Sequence, residues 1–96
     1  MLFHGKIVAV MEPRQGVGTK TGVIWKSQDF VVETDERYPH LAKFNLYGAE
    51  AVDRANLQVG MIVDVKFEVD AHEYKGVFIN ELRAWDIQNG GKSIIR

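Results

Sequence analysis

A chain of 96 residues has room for one folded domain and no second unit of ordinary size. Hydrophobic residues make up 46% and charged residues 26%, as in globular proteins, which argues against disorder along the whole chain. A formal net charge of -1 argues against a strongly basic protein that wraps duplex DNA, and the absence of cysteine excludes disulfides, thiolate catalysis and Cys-ligated metal sites.

The first half of the chain has the composition of β-strands separated by turns. Residues 3–11 are rich in Ile and Val and predict a first strand, in which Gly5 suggests a bend or bulge. Residues 12–22 hold three glycines and a proline, so they predict a long loop. The second and third strands are predicted at 23–34 and 41–47, on either side of a turn at 35–39.

Residues 48–56 differ from the rest because they are rich in alanine. Ala51, Val52 and Ala55 recur at helical spacing, which predicts a helix of about two turns. A turn is expected at Gly60.

The second half of the chain returns to strand patterns. Residues 61–71 alternate regularly and predict a half-buried strand, with its apolar set at Met61, Val63, Val65, Phe67 and Val69. Residues 72–76 are expected to form a hairpin loop, and residues 77–88 a last strand. Leu82 and Trp85 both look buried despite their opposite parity, which predicts a bulge. We therefore expect one domain over residues 1–88 and a flexible C-terminal tail over 89–96.

The predicted order, β-β-β-α-β-β, indicates an all-β protein. Small all-β domains protect their sheet edges by closing into barrels. Five strands with one short helix between strands 3 and 4 is the order of the OB-fold, in which the helix closes the open bottom of the barrel. An SH3-like barrel is the main alternative, although it usually lacks that helix.

Several motifs together give the chain a family resemblance. They are Trp25-Lys26, Phe30–Thr34, Tyr38-Pro39, Phe44–Gly48, Leu57–Gly60, Val63–Val69, Tyr74–Gly76 and Arg83–Trp85. The combination covers about residues 3–88 and resembles the bacterial single-stranded-DNA-binding protein family, most closely a group of small OB-fold proteins related to it. The resemblance implies an OB-fold and binding of single strands.

The chain departs from that family in two respects. The family carries a long tail with an acidic, aromatic tip that recruits partner proteins, whereas residues 92–96 here are basic and apolar. We therefore expect no recruitment of partners by that route. The loop after the fourth strand is also shorter, which reduces the surface able to wrap a strand.

Binding of single strands requires cations along the phosphates and flat side chains that stack on bases. Residues 13–28 carry three cations and no acidic residue, a local positive stretch in a near-neutral protein. The alternative is a solvated loop that keeps the protein soluble. The cations predicted to contact phosphates are Arg14, Lys20, Lys26, Lys43 and Lys75.

The candidate stacking residue with the strongest support is Tyr47. If the apolar set of the third strand faces the core, parity turns Tyr47 outward, beside Lys43. In the related family an aromatic residue just before this glycine stacks on a base; the alternative is that Tyr47 covers the end of the strand. Trp25 either stacks on a base or packs against the first loop, and Tyr74 is a further candidate in the hairpin loop.

The remaining large aromatic residues are assigned to the core. They are Phe30, Phe44, Phe67 and Trp85.

Catalysis has little support in the sequence. His4, His40 and His72 lie on three separate segments, without zinc-ligand spacing. Phosphate-binding and dinucleotide-binding glycine motifs are also missing. We therefore predict no enzymatic activity, no metal and no cofactor.

The sequence leaves two functions in competition. One is binding of single-stranded DNA, or RNA, without strong sequence preference, in replication, repair or recombination. The other is an OB-fold module for protein–protein interaction without nucleic-acid binding.

Strand one is apolar on both faces, with Val8 and Val10 assigned to the outer one, which predicts a homodimer, or a tetramer as in related proteins. Short apolar runs and no visible signal peptide predict a cytoplasmic protein.

Overall fold

The computed structural model describes residues 1–96, most of which belong to one β-sheet. Its elements in chain order are β1 (Leu2–Val10), β2 (Arg14–Val17), β3 (Ile24–Glu33), β4 (Leu41–Tyr47), α1 (Ala49–Ala55), β5 (Ile62–Tyr74), β6 (Val77–Asn89) and β7 (Lys92–Ser93). None of its helical structure has the length and apolar character needed to cross a membrane.

Five of the strands close into a ring that approaches a barrel. β1 pairs with β3 and β5, β3 with β4, and β6 joins β5 to β4, the last pairing being parallel. The predicted mostly-β fold with one short helix is thereby confirmed. The helix lies between β4 and β5 because residues 14–17, predicted as loop, form the additional short strand β2 against β3.

The inside of the ring is filled by aromatic and branched side chains. Phe30, Phe44 and Phe67 are buried, as predicted. The Phe44 ring centroid lies 5.6 Å from that of Phe30 and 5.0 Å from that of Phe67. Val52 and Ala55 of α1 belong to the same core, so the short helix buries the face that its spacing predicted.

The assignment of Trp85 to the core is wrong, because its side chain is 47% exposed. The predicted bulge in the last strand is present and explains the error. Lys66 pairs with Asp86 whereas Phe67 pairs with Ala84, so Trp85 is the extra residue of β6. The bulge changes the parity of β6 at this point, and Trp85 faces outward while Ile87 is buried.

β1 also changes parity, and this corrects the predicted assignment of its faces. Ile7 pairs with Val32 and Ala9 with Val31, so Val8 is the extra residue of a bulge. Ile7 and Val10 both pack into the core as a result, and Val10 does not belong to the outer face. Gly5 has a different role from the bend expected there: a Cβ at this position would overlap the Glu33 carbonyl, so glycine allows β1 to approach β3 closely.

The hairpin between β5 and β6 is longer than predicted. The loop expected at 72–76 is only a two-residue turn at Lys75 and Gly76, both with positive φ (51° and 80°). β1 pairs with β5 only up to Lys66, and β4 pairs with β6 only from Leu82. We call residues 69–81 the arm, because this part of the hairpin extends beyond the ring with no strand on either edge.

The segment 89–96, predicted as a flexible tail, contacts the ring. After Gly90 and Gly91 the chain reverses, and β7 pairs with the end of β6. The Ser93 hydroxyl donates to Asp86 Oδ1 at 2.7 Å, and Ile94 and Ile95 pack against the core.

Candidate nucleic-acid interface

The outer face of β3 and β4 forms the floor of a groove. In the strand register Ser27 lies opposite Tyr47, and Asp29 lies opposite Asn45. Asn45 Nδ2 donates to Ser27 Oγ at 2.6 Å and to Asp29 Oδ1 at 2.9 Å. Ser27 and Asn45 are buried, and these hydrogen bonds satisfy the polar groups that the floor would otherwise leave unpaired.

Two walls rise from this floor, one from β2 and one from β6 with the arm. The groove consists of two adjoining clefts that share Arg14, Asn45 and Glu81. One cleft continues along β4 towards the arm, and the other runs past the end of β4 towards Trp25. Together they are lined by Arg14, Trp25, Ser27, Asp29, Lys43, Phe44, Asn45, Tyr47, His72, Ile79, Asn80, Glu81, Leu82 and Arg83.

Two aromatic side chains line the same cleft. Tyr47 is 65% exposed on the outer face of β4, the face on which strand parity places it. Trp25 is 36% exposed and lies over β2, where it pairs with Gly16. A Cβ at Gly16 would come within 2.8 Å of indole Cζ2, so only glycine leaves room for the indole in this position.

The structure brings together four of the eight residues predicted to bind nucleic acid: Arg14, Trp25, Lys43 and Tyr47 line the groove. Lys26 is turned towards α1, where its Nζ donates to Asp53 Oδ1 at 2.6 Å. Lys20 is exposed in the turn between β2 and β3. Tyr74 and Lys75 lie at the tip of the arm, with Lys75 Nζ 5.3 Å from the Tyr74 ring centroid.

Among the polar groove residues that the predicted site did not include are Asn45 and Arg83. Asn45 shares strand parity with Lys43 and Tyr47, so the same argument that selected Tyr47 was available for it. Arg83 enters through the parallel pairing of β4 with β6, which sets it beside Asn45. No local pattern signals that pairing, because the two residues are far apart in the chain.

The two arginines of the groove already have carboxylate partners. Arg14 lies 3.5 Å from Asp29, and Arg83 lies 3.5 Å from Glu81 and 3.6 Å from Asp70. Ion pairs between partly exposed groups contribute little to stability and exchange readily. A phosphate entering the groove can therefore replace a carboxylate as the partner of an arginine, although the nearby acids reduce the attraction.

Comparisons with known proteins agree with this architecture. The profile described as "Domain of unknown function (DUF3127)" matches residues 3–88. No curated protein matches the chain. A solved structure, the small single-stranded DNA-binding protein from Streptomyces coelicolor, is similar with a TM-score of 0.53 and 16% identity, over 93% of this chain and 91% of that one. This likeness shows an OB-like fold and confirms the resemblance inferred from the motifs.

Proposed function

We propose that this chain, which belongs to the DUF3127 family, is an OB-fold protein that binds single-stranded DNA in the groove between β2 and β6, without strong sequence preference. The observation that carries the proposal is the pair of exposed aromatic side chains, Tyr47 and Trp25, in a cleft that also contains Arg14 and Arg83. The printed name of the Streptomyces structure supports the same function for a protein of similar fold.

Bases stack on Tyr47 and Trp25 in this proposal. Every base has a flat π-face, so stacking supplies affinity with little dependence on sequence, about 1–3 kcal/mol per base. The buried bonds of Asn45 hold the strand that carries Tyr47, and Gly16 leaves space for the indole of Trp25. The Trp25 indole and the strand that carries Tyr47 are thus in place before a single strand arrives, which lowers the entropic cost of binding.

Phosphates contact the cations beside these rings. Arg14, Lys43 and Arg83 line the groove. The other candidates, Lys20, Lys26, Tyr74 and Lys75, lie outside it, and we assign them to contacts with a strand that extends beyond the groove. Each phosphate contact contributes roughly -0.7 to the dependence of log affinity on log salt for single strands. Three groove contacts therefore predict a slope of roughly -2, and binding that weakens clearly at high salt.

A titration with a labelled mixed-sequence DNA oligonucleotide, followed by fluorescence anisotropy at low and high salt, tests the proposal. We expect binding at low salt, a slope near -2, and weaker binding of the same sequence as a duplex. An RNA oligonucleotide of equal length distinguishes the two nucleic acids. An affinity that does not change with salt contradicts the electrostatic part, and no binding at low salt contradicts the whole proposal.

Charge-removing variants identify the groove as the site. Replacing Arg14, Lys43 or Arg83 singly by Gln should in each case reduce the magnitude of the salt slope by roughly 0.7. Lys92→Gln is the matched control, because Lys92 is an exposed cation on β7 outside the groove. If Lys92→Gln reduces the salt slope as much as a groove substitution does, the overall charge of the protein, and not the groove, attracts the oligonucleotide.

We also propose that the protein acts in replication, repair or recombination, as a homodimer or tetramer. Leu2 and Ile62 are exposed on the outer side of β1 and β5, although the hydrogen-bonded side chains of His4 and Asp64 lie between them. With Val10 in the core, this surface is less apolar than the sequence predicted. Light scattering over a dilution series at micromolar concentrations decides the oligomeric state, since the mass of a single chain throughout excludes the dimer.

The alternative function, a protein–protein interaction module, is favoured by one observation. The arm exposes the consecutive residues Val77, Phe78 and Ile79. Exposed apolar side chains grouped in this way often mark an interface. The oligonucleotide titration separates the two functions, because an interaction module without nucleic-acid binding gives no anisotropy change at low salt.

A further inference from the structure

Trp85 is an exposed aromatic residue that the groove does not include. It is the extra residue of the β6 bulge, and its side chain faces outward with 47% of its surface exposed. A large indole is not needed to form a bulge, because the bulge requires only one additional residue in the strand. The adjoining tail is held by other contacts, among them the hydrogen bond from Ser93 to Asp86 and the packing of Ile94.

The strand register sets Trp85 next to the groove. In the parallel pairing of β4 with β6, Asn45 lies opposite Arg83 and Leu46 lies opposite Ala84. The next position on β4 is Tyr47 and the next on β6 is Trp85, and both side chains are exposed. Neighbouring strands lie about 5 Å apart, so a nucleic-acid strand leaving Tyr47 in this direction meets Trp85 next.

Two cations accompany the indole. Lys66 Nζ lies 5.6 Å and Arg96 Cζ 6.0 Å from the Trp85 ring centroid. Neither side chain forms an ion pair with a carboxylate, whereas the groove residues Arg14 and Arg83 both do. A phosphate that approaches Lys66 or Arg96 therefore does not have to displace a carboxylate. These cations can contact the backbone of a nucleotide whose base stacks on the Trp85 ring.

We propose that Trp85 is a third stacking residue, and that with Lys66 and Arg96 it extends the path of a bound single strand from Tyr47 across β6 towards β5. This inference rests on the proposed function, and it concerns the length and direction of the site. It makes the site longer than the two clefts of the groove. Short oligonucleotides that fill the groove should leave Trp85 free, and longer ones should cover it.

The two tryptophans of the chain allow each region to be observed separately. Trp25→Phe leaves Trp85 as the only indole, and Trp85→Phe leaves Trp25. Each protein is titrated with oligothymidylates of about 4 and about 16 nucleotides, the range of site sizes of single OB-folds, while tryptophan fluorescence and anisotropy are recorded together. We expect both oligonucleotides to quench Trp25, and only the longer one to quench Trp85.

Affinity measurements complement the fluorescence. Trp85→Ala should weaken binding of the longer oligonucleotide roughly tenfold, and more than it weakens binding of the shorter one. The matched control is Tyr38→Ala, which removes an exposed aromatic ring that also lies near a cation, Arg37 at 5.5 Å, but outside the path. This control should change neither affinity.

The outcomes distinguish this inference from the proposed function. If anisotropy shows saturation by the longer oligonucleotide while Trp85 fluorescence stays constant, the extension is wrong and the groove stands. If neither oligonucleotide binds at low salt, both proposals are wrong. Should Trp85→Ala fail to fold, the fluorescence of the Trp25→Phe protein still decides, because that protein retains the Trp85 side chain.

Discussion

β5 and β6 run through two regions of the molecule that differ in burial, although the alternating pattern of β5 continues from one region into the other. Within the ring, Val63 and Val65 are fully buried, whereas in the arm Val69 is 47% and Phe78 is 71% exposed. The ring supplies neighbours on both edges of the hairpin, β1 and β4, and an opposing layer of side chains. The arm has neither. Alternation therefore predicts which residues share a face, and burial additionally requires another part of the chain to cover that face.

The arm depends on local interactions for its shape. A two-stranded hairpin without further packing is marginally stable in water. Its turn has a favourable backbone conformation, since Lys75 and Gly76 both adopt the positive φ that a tight two-residue hairpin turn requires. We expect the ring to unfold as a cooperative unit, and the arm to open at a lower free energy.

The largest effect is expected from Phe44→Ala inside the ring. Phe44 is fully buried, and its ring contacts three other phenylalanines. Removing it leaves a cavity and should lower the free energy of unfolding by about 3–5 kcal/mol. Chemical denaturation measures this loss. A loss below about 1 kcal/mol would mean that the core repacks and that the ring is not the rigid region described above.

Tyr47→Ala should separate binding from stability. Tyr47 lies on β4, a strand of the ring, but its side chain is exposed like those of the arm. We therefore expect a nearly unchanged free energy of unfolding. Loss of one stacked base should weaken oligonucleotide binding by about 1–3 kcal/mol, measured by anisotropy. If the variant unfolds, Tyr47 has a structural role that its exposure does not reveal.

Gly76→Ala should disturb the arm and spare the ring. A side chain at this positive φ costs about 1–2 kcal/mol. Because the arm opens separately, we expect faster amide exchange at residues 69–81 and little change in the exchange of β1 and β3. If amide exchange in β1 and β3 becomes faster by the same factor as exchange in the arm, the ring and the arm unfold together.

The smallest effect is expected from Phe78→Ala. This is the same substitution as Phe44→Ala, made on the arm, and it should change the free energy of unfolding by less than about 0.5 kcal/mol. The two variants are compared in one denaturation experiment. A large loss that depends on protein concentration would indicate that a second copy of the chain covers Phe78.

The features that sequence predicted correctly depend on patterns within single strands. Parity assigned Phe30, Phe44 and Phe67 to the core and turned Tyr47 outward. The order of the predicted elements, together with the family resemblance, predicted the OB-like fold. The errors arise where strands interact. Trp85 and Val10 change faces because the position of each bulge is set by the register against a neighbouring strand. The parity of Leu82 and Trp85 indicated that β6 has a bulge, but not which residue is the extra one.

The composition of the groove follows the same division. Arg14, Lys43 and Tyr47 could be selected from their own segments. Arg83 lies beside Asn45 only because β4 and β6 pair in parallel. Arg83 could therefore be identified as a groove residue only once the strand order of the sheet was known. The strand β2 was missed because its four residues, Arg14–Val17, include two polar residues and a glycine, and they form a strand through their pairing with β3.

Gly16 has a consequence for the mobility of the surface above it. The missing side chain is what allows the Trp25 indole to lie against β2, with three of its atoms within 3 Å of where a Cβ would be. Any larger residue at 16 would push the indole into solvent, where it would sample several rotamers. Ordering such a side chain on binding costs about 0.5–1.5 kcal/mol. A single hydrogen in place of a methyl group thus keeps one wall of the groove rigid in the absence of any ligand.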